Sequence, residues 1–208
     1  MTLIAVIDYG IGNLRSAQKG LQRVGADARL TADPALIRDA AAVVLPGVGA
    51  FGACMAALRG RGLDNLAIEA AQSPRPFLGI CVGMQLLYEG SEESPDTPGL
   101  GVLPGMVRRL PDHVKRPQMQ WNVLHRRAGS RLLDDAEDPA WVYFVHSYAA
   151  EPDDHTVATC DYGVTFAAVI ERDNLFATQF HPEKSGANGL RILANFVRHA
   201  DRAMEVAG

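Results

Sequence analysis

Cys81 has the setting of a covalent nucleophile, because it stands between Gly79 and Gly83 where an apolar run gives way to a helical pattern. A nucleophile on a sharp strand-to-helix turn needs small residues two positions away on each side, since larger ones collide with the turn. A helix beginning there directs its dipole at the sulfur and leaves the Val82 N–H free to bind an oxyanion. The spacing therefore predicts a reactive thiol, although a buried cysteine in an ordinary turn is the open alternative.

His181, in the segment QFHPEKS, is the candidate base for that thiol. Pro182 disfavours helical backbone at His181, which predicts an extended segment. In extended chain, residues two apart face the same side, so Glu183 is expected to reach the imidazole and fix its tautomer. These residues supply a nucleophile, a base and an orienting acid; a solvated His–Glu pair on a loop is the alternative. His146, in YFVHSY, is kept as a site-wall candidate beside the plainer interpretation of a satisfied strand-end histidine.

The segment LPGVGAFG, residues 45–52, is a second strand end followed by a glycine-rich turn. Gly47 and Gly49 permit backbone that turns its N–H groups inward. We therefore expect Val48 and Gly49 to provide a second oxyanion donor beside Val82. A nest that binds phosphate is the competing use of such a loop.

A strand–helix rhythm in the first half must position these residues. The runs TLIAVID, AAVVLPG and PFLGI read as buried strands, and helical patterns follow each, the last of them through MQLLYEG. Alternating strands and helices favour a parallel, right-handed, doubly wound sheet. The first helix has apolar residues at helical spacing up to Gly25, and the second passes through Met55 and Leu58.

The second half consists of short extended runs separated by turn residues, which predict antiparallel or mixed additions to the sheet. The last run, LFATQF, leads through HPEKSGANG into a helix with Leu190, Leu193, Phe196 and Val197 on one face. The final strand is expected to end beside a central one, which would bring His181 to Cys81. The predicted fold is thus a three-layer α/β domain with a mostly parallel, flavodoxin-like sheet.

Composition excludes several classes of function. The 208 residues fit one domain, 1–208, and the net charge of −4 offers no broad basic field for nucleic acid. No signal peptide or membrane-spanning run is present, and three widely spaced cysteines match no zinc pattern, so we expect a cytoplasmic protein without a metal or cofactor. The segment GIGNLR lacks the third glycine of a dinucleotide fingerprint, and a tight turn explains it.

The whole chain resembles the class I, triad-type glutamine amidotransferases, and among them the glutaminase subunits of imidazole glycerol phosphate synthase. The elbow followed by Gln85 and the triplet HPE are general to the class; IDYGIGNLRS, PGVGAFG, GICVGMQLL, PQMQWN, YFVHSY and QFHPEKS are more particular. The resemblance implies the class's fold, with Cys81 as nucleophile, His181 as base and Glu183 as its orienting partner. It also implies that Gln85 and the Ser147–Tyr148 backbone hold the substrate glutamine.

The resemblance further implies a partner, the (β/α)₈ cyclase subunit that takes up the ammonia, in a heterodimer that works in histidine biosynthesis. We expect Lys184 to point away from the triad and, with Tyr143, Trp121 and Asn13, to lie toward that subunit. Glutaminase subunits of the anthranilate, aminodeoxychorismate or pyridoxal phosphate pathways share the elbow and triplet, and a catalytically silent scaffold is the other alternative.

Two residues depart from the family pattern: Gln120 stands where glycine is usual in PQMGWN, and Ala177 where glycine is common before TQFHPE. Neither departure touches the triad. Gln120 is expected to affect packing around Trp121 and Asn122.

Overall fold

The computed structural model describes residues 1–207, so Gly208, the last residue of the predicted domain, lies outside them. The helices are α1 Leu14–Arg23, α2 Pro34–Asp39, α3 Phe51–Gly60, α4 Asp64–Gln72, α5 Val82–Gln85 and α6 Gly186–Ala207. The strands are β1 Leu3–Ile7, β2 Asp27–Thr31, β3 Ala42–Gly47, β4 Phe77–Cys81, β5 Gly90–Ser91, β6 Met106–Arg109, β7 Gln118–Arg126, β8 Ala140–His146, β9 Tyr148–Ala150, β10 Thr156–Asp161, β11 Thr165–Arg172 and β12 Leu175–Thr178.

The central sheet has nine strands in the order β2-β1-β3-β4-β12-β11-β10-β7-β8. The first five are parallel neighbours, and the remaining pairings are antiparallel. β3 and β4 are buried along their whole length, which explains why their sequences are continuous apolar runs. The predicted α/β architecture, with antiparallel additions from the second half, is confirmed.

The helices form two sets, since α1 packs on α6 while α4 packs on α2 and α3. In α1 the buried residues are Leu14, Ala17 and Leu21, and Gly25 follows the helix with a φ of +96°. Glycine adopts this left-handed conformation without the steric cost that other residues incur. The predicted first helix is therefore confirmed. No helix within the described residues is long and apolar enough to cross a membrane.

The helix predicted through MQLLYEG is wrong in length, because α5 is one turn that ends at Gln85. The carbonyls of Leu86 and Leu87 accept hydrogen bonds from the amides of Leu100, Val102 and Leu103, at 2.8 Å each. A returning loop thus satisfies carbonyls that further helix would have used. The predicted dipole behind Cys81 is accordingly that of a single turn.

The run WVYFVHSYAAE forms two strands, not one. β8 pairs with β7 in the central sheet, whereas β9 pairs with β6 in a separate three-stranded sheet of order β5-β6-β9. The change of sheet falls at Ser147, between His146 and Tyr148. These three residues consequently lie where the two sheets diverge and where the cavity described below opens.

Candidate active site

Cys81 ends β4 in a strained backbone conformation, with φ +55° and ψ −112°. A positive φ at a non-glycine residue costs of order 1–3 kcal/mol and is concentrated at functional sites. A Cβ on Gly83 would lie 1.8 Å from the Leu45 carbonyl oxygen, and one on Gly79 would lie 3.1 Å from the Gly83 oxygen. Gly83 therefore allows the turn to pack directly against β3, and Gly79 allows the turn to fold back over the end of β4.

His181 reaches the end of β4 because β12 is the parallel neighbour of β4, with Thr178 opposite Ile80. Its Nδ1 donates to Glu183 Oε1 at 2.8 Å, and each side chain is 2% exposed. The predicted pairing is present, but the extended segment predicted for it is wrong beyond His181. Pro182–Lys184 form one 3-10 turn, in which the Lys184 amide donates to the His181 carbonyl at 3.0 Å.

The surroundings of His181 favour its protonated form. Burial lowers the pKa of His181, but its interactions with nearby Cys81 and with the Glu183 carboxylate outweigh burial and raise the pKa to about 10. The imidazole is therefore placed to hold a proton between the sulfur and the carboxylate. The His181 backbone is fixed as well, because its amide donates to the Tyr143 carbonyl at 3.0 Å and its carbonyl accepts from Ser185 Oγ at 2.7 Å.

Glu183 is held from behind by α1. A Cβ on Gly20 would lie 3.3 Å from Glu183 Cβ and 2.8 Å from Leu193 Cδ1, so the helix approaches the 3-10 turn closely only because this position is glycine. Glycine in a helix interior costs roughly 0.5–1 kcal/mol relative to alanine. Here glycine lets α1 approach closely enough to hold the Glu183 carboxylate in place.

A cavity of about 220 Å³ opens onto Cys81 and contains most of the predicted site. Its walls are Val48, Gly49, Cys81, Val82, Gln85, Glu93, Pro117, Val145, His146, Ser147, Tyr148 and His181. Glu183 is not part of the wall and lies behind His181. The volume is that of a site for a small ligand, and no cluster of potential metal ligands occurs within residues 1–207.

Gln85 is predicted to hold the substrate, and its amide nitrogen is already hydrogen-bonded within the protein. Nε2 donates to the Tyr148 carbonyl at 2.8 Å and to Gln179 Oε1 at 3.0 Å. The Tyr148 carbonyl also accepts from His146 Nδ1 at 2.9 Å. The Ser147 carbonyl accepts from the Leu110 amide at 2.9 Å. Gln85 Oε1 and the amides of Ser147–Tyr148 are therefore what this wall offers a ligand.

The oxyanion candidates meet at the cavity, where Val48 and Gly49 face the Val82 end of α5. Gly49 has a φ of +94°, and a Cβ on Gly47 would lie 2.6 Å from the Gly83 nitrogen. Within residues 1–207 the amides of Val48 and Gly49 donate no hydrogen bond to a protein acceptor. These N–H groups are thus available to a ligand.

Sequence reasoning missed one residue of the cavity wall and one residue beside the thiol. Glu93 lies outside the segments that the sequence singles out, yet it lines the cavity, and its Oε2 accepts from the Phe51 amide at 2.7 Å. Gln179 Nε2 lies 3.8 Å from Cys81 Sγ. The alternation of Gln179 with His181 along the segment was a usable signal, whereas nothing local in the sequence marks Glu93.

Two of the four predicted interface residues form one surface. Trp121 and Tyr143 are cross-strand partners on β7 and β8, with ring centroids 6.1 Å apart in an edge-to-face arrangement. Trp121 is 47% exposed, and Lys184 is exposed as well. Lys184 lies in a 3-10 turn, so the side-to-side alternation of an extended segment, which was expected to direct it outward, is absent. Asn13 precedes α1, and its Oδ1 accepts from Ser16 Oγ at 2.7 Å.

The two departures from the family pattern differ in their surroundings. Gln120 is exposed on β7, opposite Phe144 of β8, while Ala177 is fully buried on β12 opposite Gly79. Neither contacts the triad through a hydrogen bond between described residues.

Acid should destabilise the protein through His146. Burial lowers its pKa from 6.5 to about 4, with nearby His181 adding to the effect and the bond to the Tyr148 carbonyl opposing it. Between these values the unfolded chain binds a proton that the folded chain does not, so stability falls as pH falls. The raised pKa of His181 contributes stability that is complete below pH 6.5 and therefore does not change in this window.

We expect the wild type to lose about 2.5 kcal/mol more unfolding free energy than His146→Gln between pH 7 and about pH 4.5. Urea unfolding at several pH values, followed by circular dichroism, measures the difference. Parallel pH profiles for the two proteins would contradict it.

Comparison with known proteins identifies the family of this chain. The glutamine amidotransferase class-I model matches residues 5–200. An imidazole glycerol phosphate synthase subunit HisH from Methanothermobacter thermautotrophicus is 53% identical over 196 residues, covering 94% of this chain and 98% of its own. The subunit of the same name from Geobacter sulfurreducens is 52% identical over 205 residues, with 94% and 98% covered.

Solved structures support the fold alone. A GMP synthase subunit protein from Thermoplasma acidophilum superposes with a TM-score of 0.74 at 19% identity, covering 100% of this chain and 98% of its own. PurLQS from Thermotoga maritima gives 0.74 at 19% identity, with 95% and 99% covered. The match of the family model and the near full-length similarity to the HisH subunits show that the chain belongs to the class-I glutamine amidotransferase family, in the group of the imidazole glycerol phosphate synthase subunits HisH.

Proposed function

We propose that the chain is the glutaminase subunit of an imidazole glycerol phosphate synthase, hydrolysing glutamine to glutamate and ammonia through a thioester at Cys81. The observation that carries the proposal is the cavity lined together by Cys81, His181, Val48 and Gly49, the last two with amides that donate no hydrogen bond within residues 1–207. Nucleophile, proton donor and oxyanion site are the parts that acyl transfer requires. Relatives about 50% identical bear the same subunit name.

In the first step the Cys81 thiolate attacks the side-chain amide carbon of glutamine, and the carbonyl electrons move to oxygen. The N–H of Val82 and an N–H of residues 48–49 bind that oxyanion. His181 gives its proton to the departing nitrogen, so ammonia leaves and a γ-glutamyl thioester remains. Water then attacks the thioester, His181 takes up the water's proton, and glutamate leaves as the thiolate is restored. Glu183 keeps the imidazole in the required tautomer through the 2.8 Å bond to Nδ1.

The remaining walls suit the amino-acid end of glutamine. Glu93 is the one carboxylate on the cavity wall and would bind the α-ammonium group. The backbone of Ser147–Tyr148 would bind the α-carboxylate, and Gln85 Oε1 would accept from the side-chain amide. A neutral His146 completes the wall, because its lowered pKa leaves it uncharged near pH 7.

The chemistry implies a partner. Ammonia released into water at neutral pH is mostly protonated and no longer a nucleophile, so a glutaminase of this kind works beside an acceptor site. We place that site on the cyclase subunit, which converts an N-linked ribulosyl phosphate intermediate into imidazole glycerol phosphate and aminoimidazole carboxamide ribotide in histidine biosynthesis. Three free cysteines fit a cytoplasmic location. The whole chain, 1–208, would act as one glutamine amidotransferase domain.

Co-purification tests the assignment. The chain and a cyclase subunit should elute together in size-exclusion chromatography, and the pair should make imidazole glycerol phosphate from glutamine. Co-elution and synthesis with an anthranilate or aminodeoxychorismate synthase subunit, but not with the cyclase, would instead place the chain in another pathway. If the chain neither co-elutes with any of these subunits nor supports synthesis, and Cys81 is unreactive, only the scaffold alternative remains.

Lys184→Ala is expected to weaken assembly with the cyclase subunit. Lys184 is exposed directly after the triad, and Trp121 of the neighbouring surface lies near Gly186. An ion pair desolvated by docking costs about 2–5 kcal/mol when one partner is truncated, roughly a 30-fold or greater rise in Kd, whereas an exposed pair costs about 0–1 kcal/mol. Isothermal titration with the cyclase subunit measures the change.

Arg38→Ala is the control, because Arg38 is exposed on α2 and its carbonyl accepts from Arg75, which precedes β4 at the end of that strand opposite Cys81. It should leave Kd unchanged. If Lys184→Ala also leaves both Kd and glutaminase turnover at saturating partner unchanged, Lys184 belongs to the solvated surface.

A further inference from the structure

Gln179 is a fully buried glutamine that lies between β12 and His181. Its backbone amide donates to the Ala168 carbonyl at 3.0 Å, and its side chain is not part of the cavity wall. A side-chain amide is costly to bury unless its polar groups are hydrogen-bonded. Both ends of this amide are bonded, since Nε2 donates to Cys81 Sγ at 3.8 Å and Oε1 accepts from Gln85 Nε2 at 3.0 Å.

The orientation of the Gln179 amide follows from Gln85. The Tyr148 carbonyl lies 2.8 Å from Gln85 Nε2 and can only accept, so the nitrogen of Gln85 and not its oxygen must face that carbonyl. The same nitrogen lies 3.0 Å from the Gln179 side chain, which must therefore turn its oxygen toward Gln85. The nitrogen of Gln179 is then directed at Cys81. Hydrogen bonds thus run in one direction, from Gln85 through Gln179 to the sulfur.

The sulfur of Cys81 has two polar neighbours with opposite preferences. The Val145 carbonyl oxygen lies 3.9 Å from Sγ, where it can accept from a thiol but repels a thiolate. The Gln179 N–H favours the thiolate, because a hydrogen bond to the charged form of a group stabilises that form. The amide of Gln179 does not titrate, so its effect on the sulfur is present at every pH.

Several titratable side chains also interact with the sulfur or share its cavity. They are His181 after β12, Tyr9 after β1, Cys54 on α3, His146 on β8 and Glu93 after β5. Replacing Gln179 by another uncharged side chain removes none of these groups. Such a replacement therefore tests the hydrogen bonds of Gln179 alone.

Gln179 also determines what Gln85 presents to a substrate. Both hydrogens of Gln85 Nε2 are used, one on the Tyr148 carbonyl and one on Gln179 Oε1, so Gln85 can offer a ligand only the acceptor Oε1. The side-chain amide of glutamine has N–H donors for that acceptor, whereas the carboxylate of glutamate has none and is repelled by it. The orientation imposed by Gln179 therefore favours glutamine over glutamate.

We infer that Gln179 is a further catalytic residue, which stabilises the Cys81 thiolate through its N–H and holds Gln85 in the orientation that accepts from glutamine. The inference rests on the proposed function, in which Cys81 is the nucleophile. During hydrolysis of the thioester the bond between carbon and sulfur breaks, and its electron pair returns to the sulfur. The N–H of Gln179 stabilises the charge that develops there. Gln179 thus supports the thiolate before it attacks and again when it is released.

Gln179→Met removes both hydrogen bonds with little change in side-chain size. A hydrogen bond to a charged group corresponds to about 10- to 100-fold in an equilibrium, so the midpoint of the pH profile for alkylation of Cys81 by iodoacetamide should rise by about one to two pH units. The plateau rate at alkaline pH should not fall, because a less stabilised thiolate is the better nucleophile. A merely structural role would lower the plateau and leave the midpoint in place.

Gln179→Glu separates the two roles, because a carboxylate keeps an acceptor for Gln85 but offers no N–H to the sulfur. Its negative charge should raise the alkylation midpoint at least as far as Gln179→Met does. The preference for glutamine is the Ki of glutamate divided by the KM of glutamine. It should fall about two- to tenfold in Gln179→Met, which is the value of one neutral hydrogen bond, and stay within about twofold of the wild type in Gln179→Glu.

Asn195→Leu is the control for the loss of a buried side-chain amide. Asn195 lies on α6, where its Nδ2 donates to the Leu132 carbonyl at 3.0 Å, and it is not part of the cavity wall. This variant should keep the alkylation midpoint of Cys81 and the preference for glutamine. Thermal unfolding of each protein shows that the comparison is made between folded chains.

The experiment combines alkylation rates, measured by peptide mass spectrometry over a range of pH, with glutaminase kinetics at saturating cyclase subunit. Turnover of Gln179→Met should fall about 10- to 100-fold at neutral pH and recover at alkaline pH. An unchanged alkylation midpoint in folded Gln179→Met and Gln179→Glu, while the wild type hydrolyses glutamine, overturns the role of Gln179 and leaves the proposed function intact. A wild type that releases no glutamate from glutamine even with the cyclase subunit overturns the proposed function itself.

Discussion

Replacing Cys81 with alanine or serine is expected to abolish synthesis from glutamine by the assembled pair while synthesis from free ammonia continues. In the proposed function Cys81, His181 and Glu183 act only at the glutamine side-chain amide, and the acceptor chemistry would occur on the cyclase subunit. Loss of a triad nucleophile costs about 10⁴–10⁶ in kcat. The measurement is imidazole glycerol phosphate formed with glutamine and, separately, with ammonium chloride at alkaline pH.

Cys160→Ala is the control for this experiment, because Cys160 is equally buried but lies in β10, away from the cavity wall. It should retain both activities. If a folded, assembled Cys81→Ala pair loses both activities equally, Cys81 has a role other than nucleophile.

The second large effect is activation by the partner. The isolated chain is expected to hydrolyse glutamine slowly, and the cyclase subunit with its own ligand bound should accelerate it by about 10²–10³, the rate factor associated with one oxyanion donor. The glycines at 47 and 49 permit the peptide rotation that would complete the second donor beside Val82. Steady-state glutamate release from the chain alone, from the pair, and from the pair with ligand measures the factor.

Glutamate release by the chain alone decides whether the partner reorients the backbone of residues 47–49. Rapid glutamate release by the purified chain alone would mean that the resting loop already presents both donors, and partner-driven reorientation would then be wrong. A cyclase subunit that binds without accelerating hydrolysis would contradict it equally.

Local spacing was sufficient to predict that Cys81, His181 and Glu183 come together. The glycines around Cys81 have a steric origin that the sequence displays directly, since Gly83 packs on β3 and Gly79 packs on the turn. The pairing of His181 with Glu183 was also predicted, although the conformation proposed for it was wrong. The short separation of the two residues allows the contact in either geometry: a 3-10 turn brings them to 2.8 Å just as extended chain was expected to.

Features that depend on distant backbone could not be predicted in the same way. The end of α5 is set by amides of residues 100–103, which bind the carbonyls that continued helix would have used. Glu93 joins the cavity only because its loop returns to cap α3 at Phe51. Tyr9 and Cys54 reach the carbonyls of Pro46 and Val48 through the packing of β1 and α3, and no spacing within the sequence reports these contacts.

The central claim, a reactive Cys81 that attacks the side-chain amide of glutamine, is tested most directly by labelling with a glutamine analogue that carries a chloroketone in place of that amide. Peptide mapping by mass spectrometry should find one label per chain, on Cys81, formed more slowly in the presence of glutamine. Cys54 and Cys160 are fully buried and should remain unmodified. Labelling that leaves Cys81 intact, or that glutamine does not slow, would contradict the account.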